Sequence, residues 1–271
     1  MLRNVLITLA LGSLLGGCKS SANKPDDAVV GEPFPAGRWQ PAPGTSWQWQ
    51  LMGTIDTSLA VAMYDIDLFD APDAVLATLH TRGIRVVCYF SAGSHENWRA
   101  DATEFPAAAI GSPLDGWPGE RWLDIRSAAV RTRMQARLAL AKERDCDAVE
   151  PDNVDGYANT SGFPLTATDQ LDYNRFIARE AHALGLSVGL KNDLDQVPEL
   201  VTEFDWALDE ECGQFDECDA LLPFIDAGKA VFNVEYKPSA VVATVCPAAN
   251  ARNFDTLIKN LDLDAWRVAC R

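Results

Sequence analysis

The sequence has few histidines and lacks the short motifs that bind metals or nucleotides. Its three histidines, His80, His95 and His182, lie far apart in the chain, and no two cysteines have the Cys-x-x-Cys spacing. Both facts argue against a zinc site, because such sites take their ligands from clustered cysteine and histidine. No Gly-x-Gly-x-x-Gly or P-loop motif follows a predicted strand, which argues against nucleotide binding. We therefore expect no metal and no nucleotide or organic cofactor.

Basic residues are also scarce. Lys and Arg total 23 against 39 Asp and Glu, which gives a formal net charge of -16. A surface of this sign repels nucleic acid and attracts cations, so we expect no nucleic-acid partner and favour a cationic one. An acidic surface that serves only solubility is the alternative explanation.

No hydrophobic run is long enough to cross a bilayer as a helix. The run from Val5 to Leu15 follows a positive charge and is typical of the core of a signal peptide. It ends at Leu15-Gly16-Gly17-Cys18, which resembles a bacterial lipobox. This predicts a signal peptide over residues 1–17 and a lipid on Cys18. The protein would then be exported and anchored in the outer membrane of a Gram-negative bacterium, facing the periplasm or the surface. An ordinary secreted protein, in which Cys18 has no special role, is the alternative.

A segment rich in proline and small polar residues comes next. Residues 18–45 contain five prolines and show little periodicity, so they cannot bury a core and are expected to form a flexible linker. The folded domain is predicted over residues 46–271. Its length of about 225 residues suits one barrel better than two domains, and we expect a monomer.

The cysteines agree with export. Six remain when Cys18 is set aside, an even number that predicts three disulfides in an oxidising compartment. The count does not determine the connectivity. The short spacings suggest Cys212 with Cys218 and Cys246 with Cys270, which leaves Cys88 with Cys146.

Short apolar runs alternate with helical patterns through the folded domain. Helices are predicted over Pro72 to Arg82, Ser127 to Arg144 and Asp169 to Leu184. Alternating strands and helices indicate an α/β fold with a parallel sheet, and eight such units predict a (β/α)8 TIM-like barrel. A doubly wound open sheet is the alternative. The eight predicted strands are Trp47 to Gln50, Val61 to Asp65, Arg85 to Ser91, Glu120 to Leu123, Ala148 to Asp152, Ser187 to Lys191, Trp206 to Glu210 and Ala230 to Glu235.

Acidic and polar residues follow the predicted strands, where a barrel carries its functional groups. Any single one has another explanation, because acids often cap the helix that follows. We expect Asp124, Asp193 and Asp195 to be such caps. The strand-end residues are Asp65 and Asp67, Ser91 to Trp98, Asp124, Asp152 to Asp155, Lys191 to Asp193, Asp209 to Glu211, and Glu235 with Tyr236.

Five segments together resemble one known family. They are Cys88 to Ser94, Gly116 to Arg126, Glu150 to Tyr157, Gly189 to Asp193 and Val231 to Tyr236. In this order they look like glycoside hydrolase family 114, the endo-α-1,4-polygalactosaminidases, and the resemblance covers essentially the whole of the predicted domain. It implies a TIM-like barrel and endo-acting hydrolysis of α-1,4-linked, galactosamine-rich polysaccharide.

The resemblance also implies two catalytic carboxylates, Asp152 and Glu210. This chain departs from the family pattern beside the second acid, where Asp209 and Glu211 stand in place of the usual Asn and Gln. In a strand these neighbours face away from Glu210. A shift of register that makes Glu211 the acid remains an alternative.

A pair of carboxylates can cleave a glycosidic bond in two ways. We expect a retaining reaction with Asp152 as nucleophile and Glu210 as general acid and base; an inverting reaction with Asp152 as base is the alternative. Lys191 is expected either to bind the sugar or to form a structural ion pair with Asp152 or Glu150. The acids predicted to bind the substrate ammonium are Asp65, Asp155 and Glu235. The residues predicted to stack on sugar rings are Tyr89, Tyr157 and Tyr236, with Tyr64, Trp98 and Trp117 as weaker candidates. Trp47, Trp49 and Trp206 are expected to be packing residues.

Two other functions stay open at this point. A barrel that binds carbohydrate without cleaving it would have the same fold. A metal-dependent polysaccharide deacetylase would need clustered His and Asp ligands, and only His95 lies near a predicted strand end. The partner in the favoured hypothesis is a galactosamine-rich, cationic polysaccharide, with membrane contact through the lipid anchor alone.

Overall fold

A computed structural model describes residues 37–236 and 242–271. The predicted signal peptide, Cys18 and most of the predicted linker lie outside these ranges. No helix within them is long and apolar enough to span a membrane. Residues 38–45, at the end of the predicted linker, contact the folded domain: the Arg38 guanidinium and the Gln40 amide bind the Asp205 carboxylate, and the Gly44 amide donates to the Asp255 carboxylate.

Eight parallel strands form the sheet predicted from the sequence. Their order along the sheet follows their order in the chain, as in a (β/α)8 barrel, and shows no reversal of the kind that defines a doubly wound sheet. The described residues form the strands β1 Trp47–Trp49, β2 Met63–Asp67, β3 Arg85–Ser91, β4 Ser94–Glu96, β5 Ile110–Pro113, β6 Glu120–Leu123, β7 Ala148–Asp152, β8 Ser187–Lys191, β9 Trp206–Glu210, β10 Val231–Glu235, β11 Asp255–Lys259 and β12 Arg267–Ala269. The parallel order is β1-β2-β3-β7-β8-β9-β10-β11.

The barrel closes where the first strand meets the last ones. β12 pairs antiparallel with β11, and the Arg267 guanidinium donates to the Trp47 carbonyl oxygen in β1. The Trp47 indole N–H donates to the Asp255 carbonyl oxygen at 2.8 Å. Side chains therefore hold together two edges that form no backbone ladder with each other within the described residues, and the nine-stranded sheet is a nearly closed barrel.

One predicted strand is not part of the barrel, and one barrel strand was not predicted. The predicted strand Glu120 to Leu123 is β6, which pairs antiparallel with β4 and β5 in a separate three-stranded sheet inserted after β3. The eighth barrel strand is β11. The second strand was predicted at Val61 to Asp65 and lies at Met63–Asp67, so Asp65 is in its middle and not at its end.

Helices cover the outside of the barrel at the places predicted from periodicity. α3 begins after Thr166, which forms a capping box with Asp169. The α-helices are α1 Asp73–Thr81, α2 Ala128–Glu143, α3 Ala167–Ala183, α4 Val197–Leu200, α5 Cys212–Phe215, α6 Leu222–Asp226 and α7 Val242–Ala251; short 3₁₀ turns lie at Ala102–Glu104, Ala107–Ala109, Gly156–Ala158, Leu194–Gln196 and Cys218–Leu221.

Four aromatic side chains, with aliphatic ones around them, fill part of the barrel interior. Trp47 and Trp206 both pack against Phe232, with ring centroids 4.8 and 5.5 Å apart, and Trp49 is buried beside them. A Cβ on Gly189 would lie 2.3 Å from the Trp206 ring, so only glycine fits at this position. These rings fill the barrel near the amino ends of its strands. The carboxyl ends of the strands are left for polar residues.

Three disulfides join the cysteines in the predicted pairs. They are Cys88–Cys146, Cys212–Cys218 and Cys246–Cys270. The first ties β3 to Cys146, two residues before its neighbour β7 in the sheet, and the last ties α7 to Cys270.

Candidate active site

A buried lysine gathers three carboxylates at the carboxyl ends of three neighbouring strands. Lys191, the last residue of β8, is 2% exposed, and its Nζ lies 3.0 Å from Asp152 Oδ1, 2.9 Å from Glu210 Oε2 and 3.2 Å from Glu150 Oε1. The two contacts to Asp152 and Glu210 place those two oxygens at most about 6 Å apart. Both predicted catalytic carboxylates therefore face one point. They keep some solvent contact, at 17% and 26% exposure of their side chains.

Burial alone would lower the pKa of Lys191, since it disfavours the charged form. The charges of Asp152, Glu210 and Glu150 outweigh that effect and raise its pKa well above the usual range. Its ammonium also lies 4.9 Å from the centre of the Trp49 ring, a cation–π distance. Lys191 is thus a permanent positive charge between the two acids.

Hydrogen bonds orient the Asp152 carboxylate. The Tyr89 hydroxyl donates to its Oδ2 at 2.9 Å, and the backbone N–H of Asn153 donates to its Oδ1 at 2.8 Å. Asn153 has a left-handed backbone with φ of 60°, and its side-chain amide donates to Ser91 Oγ at 2.9 Å. Burial, followed by the charge of Asp152, raises the pKa of Tyr89 well above its ordinary value, so Tyr89 remains a neutral donor.

Glu210 is held in a similar way from the other side. The Tyr236 hydroxyl donates to its Oε1, and the Glu210 backbone N–H donates to Asn192 Oδ1 at 3.1 Å. Burial and the Glu210 charge raise the pKa of Tyr236 far above its normal range. Each acid therefore has one tyrosine donor and shares the same lysine.

The two unusual neighbours of Glu210 point elsewhere. Asp209 is buried, and its Oδ1 accepts from the Cys212 N–H at 3.1 Å; burial and the charge of Glu210 raise its pKa to about 8. Glu211 lies past the end of β9 with a left-handed backbone, φ 63°. Glu210, and not Glu211, is the residue that contacts Lys191, which favours the unshifted register.

Asp65 lies below this group and not on its rim. It has no exposed surface, and within the described residues no N–H group donates to its oxygens. Its carboxyl instead shares a hydrogen bond with that of Glu150, which requires a proton on one of the two acids. Burial, followed by the charge of Glu150, raises the pKa of Asp65 well above its ordinary range. Burial also raises the pKa of Glu150 to about 7, although Lys191 opposes the shift. Asp67, which ends β2, is bound by Arg99 at 2.6 Å.

Asp155, Tyr157 and Asp193 form a second acidic group beside Asp152. Burial raises the pKa of Asp155, and the charge of Asp152 adds to the shift. Asp193 is buried, and burial together with the Asp155 charge raises its pKa to about 8. Its Oδ2 accepts from the Asn174 amide at 2.8 Å. Asp193 was expected to be a helix cap, but its side chain makes no cap hydrogen bond to the turn that follows. It belongs instead to the site.

The remaining predicted contacts are Tyr157 and Glu235. Tyr157 is partly buried after β7, and burial raises its pKa to about 12. Glu235, the last residue of β10, is 1% exposed, and its Oε1 accepts from the Gly213 N–H at 2.7 Å. Its carboxylate therefore turns toward the chain that follows β9.

A protein-family model described as glycoside-hydrolase family GH114 matches residues 32–271. The chain belongs to family GH114. The crystal structure of Aspergillus fumigatus Ega3 in complex with galactosamine has 42% sequence identity and a TM-score of 0.83, and the match covers 88% of this chain and 99% of that one.

Two more distant structures share the fold of this GH114 chain. The glycoside hydrolase domain of PelA from Pseudomonas aeruginosa has 14% identity and a TM-score of 0.64 over 84% of this chain and 98% of that one. Amy13B of Eubacterium rectale has 10% identity and a TM-score of 0.52 over 73% and 58%. A search of curated proteins found no match.

The three histidines of the GH114 chain lie apart from one another. His80 and His182 each contact an aspartate, Asp147 and Asp205, at 2.9 Å, and the His95 ring lies 3.1 Å from the Ala102 carbonyl oxygen. Within the described ranges no group of three or more potential ligands is placed to hold a metal ion. The ligand set that a metal-dependent deacetylase requires is therefore not assembled by these residues.

Sequence reasoning also missed Glu120 in the inserted sheet. Its Oε2 accepts from Ser94 Oγ at 2.6 Å, and Ser94 Oγ lies 2.7 Å from Ser91 Oγ, which the Asn153 amide contacts. Burial raises the pKa of Glu120 to about 7. Glu120 lies within the family-like segment Gly116 to Arg126, but the residues around it resemble an ordinary strand, so the sequence did not single it out.

Proposed function

We propose that this chain is an endo-acting glycoside hydrolase that cleaves α-1,4-linked, galactosamine-containing polysaccharide with the pair Asp152 and Glu210. The observation that carries the proposal is the placement of these two carboxylates within about 6 Å of each other on one lysine. Membership of family GH114 supports the reaction class. The galactosamine bound in the Ega3 structure supports the sugar.

The proposed mechanism is retaining. Carboxyl groups about 5–5.5 Å apart suit retention, whereas inversion needs about 6.5–9.5 Å to admit a water molecule. The Lys191 contacts bring one pair of oxygens, Asp152 Oδ1 and Glu210 Oε2, to within about 6 Å of each other, and this pair fits the shorter spacing. Glu210 enters this step in its protonated form. Asp152 attacks C1 and forms a glycosyl ester, while the bond from C1 to the leaving oxygen breaks and Glu210 gives its proton to that oxygen. Glu210 next takes a proton from the water that hydrolyses this ester.

Lys191 suits this exchange of charge. Asp152 loses its negative charge when it forms the ester, and Glu210 gains one when it gives up its proton. Because Lys191 contacts both carboxylates, one fixed cation stabilises the negative charge before and after its transfer. The lysine therefore holds the acids in place without having to move.

Asp155 is our proposed contact for the substrate ammonium, since it is only partly buried and adjoins Asp152 in space. A charge-assisted bond to an ammonium is stronger than a neutral one. Asp65 and Glu235, proposed from the sequence for the same role, are buried. Tyr89, Tyr157 and Tyr236 remain proposed sugar contacts, the first and last as donors that also position the two acids.

The test is hydrolysis of a purified galactosamine polymer, measured as new reducing ends with and without a chelator. We expect Asp152→Asn and Glu210→Gln each to lower kcat at least about 100-fold while the melting temperature stays near the wild-type value. Asp172→Asn, a matched change on the exposed face of α3, should keep full activity. Retained activity in either site variant removes that residue from the mechanism.

Product analysis separates the remaining alternatives. A first product with the α configuration supports retention, and a β product supports inversion. Wild-type protein that binds the polymer and releases no reducing ends would support the carbohydrate-binding alternative.

We also propose the domain layout read from the sequence: a signal peptide over 1–17, a lipid-anchored Cys18 with a linker to residue 45, and the hydrolase domain from 46 to 271. The last part of this linker, residues 38–45, packs on the domain. The lipobox-like segment and the even cysteine count support export. Mass spectrometry of the mature N-terminal peptide tests the layout. An unmodified Cys18 in that peptide would contradict the anchor.

A further inference from the structure

The large exposed apolar side chains of the described residues all lie on one end of the barrel. Each follows the carboxyl end of a barrel strand: one comes after β1, two are in the sheet inserted after β3, one comes after β9 and two come after β11. This is the end that carries Asp152 and Glu210. Large apolar groups exposed on one face mark an interaction site. They are Met52, Trp98, Trp117, Phe215, Leu261 and Trp266.

Two of these side chains, Trp98 and Trp117, form what we call the tryptophan tip. They are 52% and 50% exposed. Trp98 follows β4 and Trp117 lies in the turn between β5 and β6. The Asn97 N–H donates to the Gly119 carbonyl oxygen at 3.2 Å, which extends the pairing of β4 with β6 to the base of the tip.

A glycine lets the first indole lie directly on the backbone. A Cβ on Gly119 would be 2.8 Å from Cζ3 of Trp98, and Gly119 has a φ of +98°. Only glycine is suited to that backbone and that contact. The Trp98 ring is therefore supported from below, with half of its surface left open to solvent.

Hydrogen bonds connect the inserted sheet to the catalytic group. Glu120 in β6 accepts from Ser94 in β4, Ser94 contacts Ser91 at the end of β3, and Ser91 accepts from Asn153 beside Asp152. Except for Asn153, these residues are buried. The sheet, and with it the tip, thus has a fixed position relative to the point of cleavage.

We propose that the tryptophan tip is a distal subsite, at which sugar rings of the same polysaccharide stack on Trp98 and Trp117 away from the cleavage point. This inference rests on the proposed function. An exposed indole offers an apolar face to a ring and attracts a cation above it, and tryptophan is the best aromatic residue for that purpose. An amino sugar supplies both the ring and the ammonium.

The charge near the tip favours this occupant over a membrane. Asp115 is two residues from Trp117, and the chain carries a formal net charge of -16. Anionic lipids repel such a surface, whereas a cationic polymer is drawn to it. An endo-acting enzyme also needs contacts beyond the two sugars that flank the cleaved bond, since it must hold an internal stretch of the chain.

The variants for the test are Trp98→Ala, Trp117→Ala and the double substitution, with Trp98→Phe and Trp117→Phe as matched controls that keep an aromatic face. For each, kcat/KM is measured on long galactosamine polymer and on the shortest oligosaccharide that the wild type cleaves. We expect the ratio of the two values to fall roughly 3- to 10-fold for each alanine, mainly through the KM of the polymer. The phenylalanine variants should recover part of the loss.

Two results would overturn the subsite: an unchanged ratio in the double variant, or an equal loss on both substrates. Co-sedimentation with phosphatidylglycerol vesicles is measured for the same variants. If the alanine substitutions reduce co-sedimentation and leave the polymer kinetics unchanged, the tip is a membrane contact and the proposal is also overturned. Polymer affinity is measured separately in the Glu210→Gln background. Tryptophan-dependent binding in the absence of any wild-type hydrolysis would uphold the subsite and reject the hydrolase.

Discussion

At the scale of single residues, the site is governed by an excess of carboxylates over cations. Asp65, Glu150, Asp152 and Glu210 are grouped around one ammonium, that of Lys191. A buried carboxylate without a donor is costly, so such a group is neutralised by a proton. Asp65 and Glu150 are equally buried, but Glu150 lies 3.2 Å from Lys191 Nζ, whereas no N–H group of the described residues donates to Asp65. Asp65 is therefore the one we expect to be protonated at neutral pH.

This expectation gives a prediction for Asp65→Asn. The amide has the shape of a protonated aspartic acid and the same charge, so we expect kcat within about 2-fold of wild type and a change in stability below about 1 kcal/mol. The same chemical change at Asp152 should abolish turnover, which makes Asp152→Asn the matched control. Both are measured by initial rates on polymer and by thermal unfolding.

The opposite outcome would restore a role proposed from the sequence. If Asp65→Asn folds normally and loses activity, Asp65 acts in its charged form. It would then be a direct contact for the ammonium of the substrate.

At the scale of elements, seven of the eight barrel strands follow from apolar runs in the sequence, and the exceptions have physical reasons. β6 has three buried residues and one exposed residue, and so short a mainly buried run does not distinguish a barrel strand from one in an inserted antiparallel sheet. β11 begins with Asp255 and ends with Lys259, so it does not read as apolar. Both charges are nevertheless buried, because Arg271 pairs with the first and the Asp264 carbonyl oxygen accepts from the second.

The site was predictable only to the extent that it lies at strand ends. Asp152, Lys191, Glu210 and Tyr236 come directly from that rule. Asp193 also follows a strand, but its place in the site, like that of Glu120 at the start of β6, comes from burial by segments distant in the chain, such as Asn174 on α3 and Ser94 on β4. No local pattern records that kind of burial.

The junction between β3 and the inserted sheet supports the backbone at the end of β7, where Asp152 and Asn153 lie. Gly93 is the residue of this junction that approaches that backbone closely. The Gly93 N–H donates to the Asp152 carbonyl oxygen at 3.1 Å. A Cβ added at Gly93 would lie 1.7 Å from the Asn153 carbonyl oxygen, so the backbone that carries Asp152 would have to move.

We therefore predict that Gly93→Ala lowers kcat/KM by about 100-fold or more, because a displacement of about 1 Å is enough for such a loss. Gly156→Ala is the control, since its added methyl meets nothing closer than 3.3 Å. Initial rates and far-ultraviolet circular dichroism are measured for both. A Gly93→Ala protein with wild-type rates would show that this backbone tolerates the shift and that its position is not critical.

At the scale of the whole molecule, the pKa values of buried carboxyl groups are shifted in opposite directions at the two ends of the barrel. At the amino ends of the strands, burial alone would raise the pKa values of Asp147 and Asp205, but hydrogen bonds from His80 and His182 and from backbone amides lower them. At the carboxyl ends, burial raises the pKa of Glu120 and Glu150 to about 7 and that of Asp193 and Asp209 to about 8. One end is built for stability and the other for chemistry.

The carboxyl groups with raised pKa values predict how stability depends on pH. These carboxyls bind more protons in the folded state than in the unfolded chain, whose carboxyls titrate near about pH 4. The free energy of unfolding therefore falls as pH rises from about 4 to about 8, because the folded state must give up protons that it binds more tightly. Below about pH 4 the paired carboxylates at the other end lose their partners, and stability falls again.

Thermal unfolding measured from pH 3 to pH 9 should consequently give a maximum in the mildly acidic range. Asp193→Asn removes a titrating group without changing its shape, so it should flatten the decline between about pH 5 and about pH 8 and leave the acid limb unchanged. Asp147→Asn should do the reverse, reducing the loss on the acid side. A melting temperature that rises steadily toward pH 8 in the wild type would mean that these carboxyls are already ionised in the folded protein. The acids around Lys191 would then be stabilised by donors beyond those that surround them here.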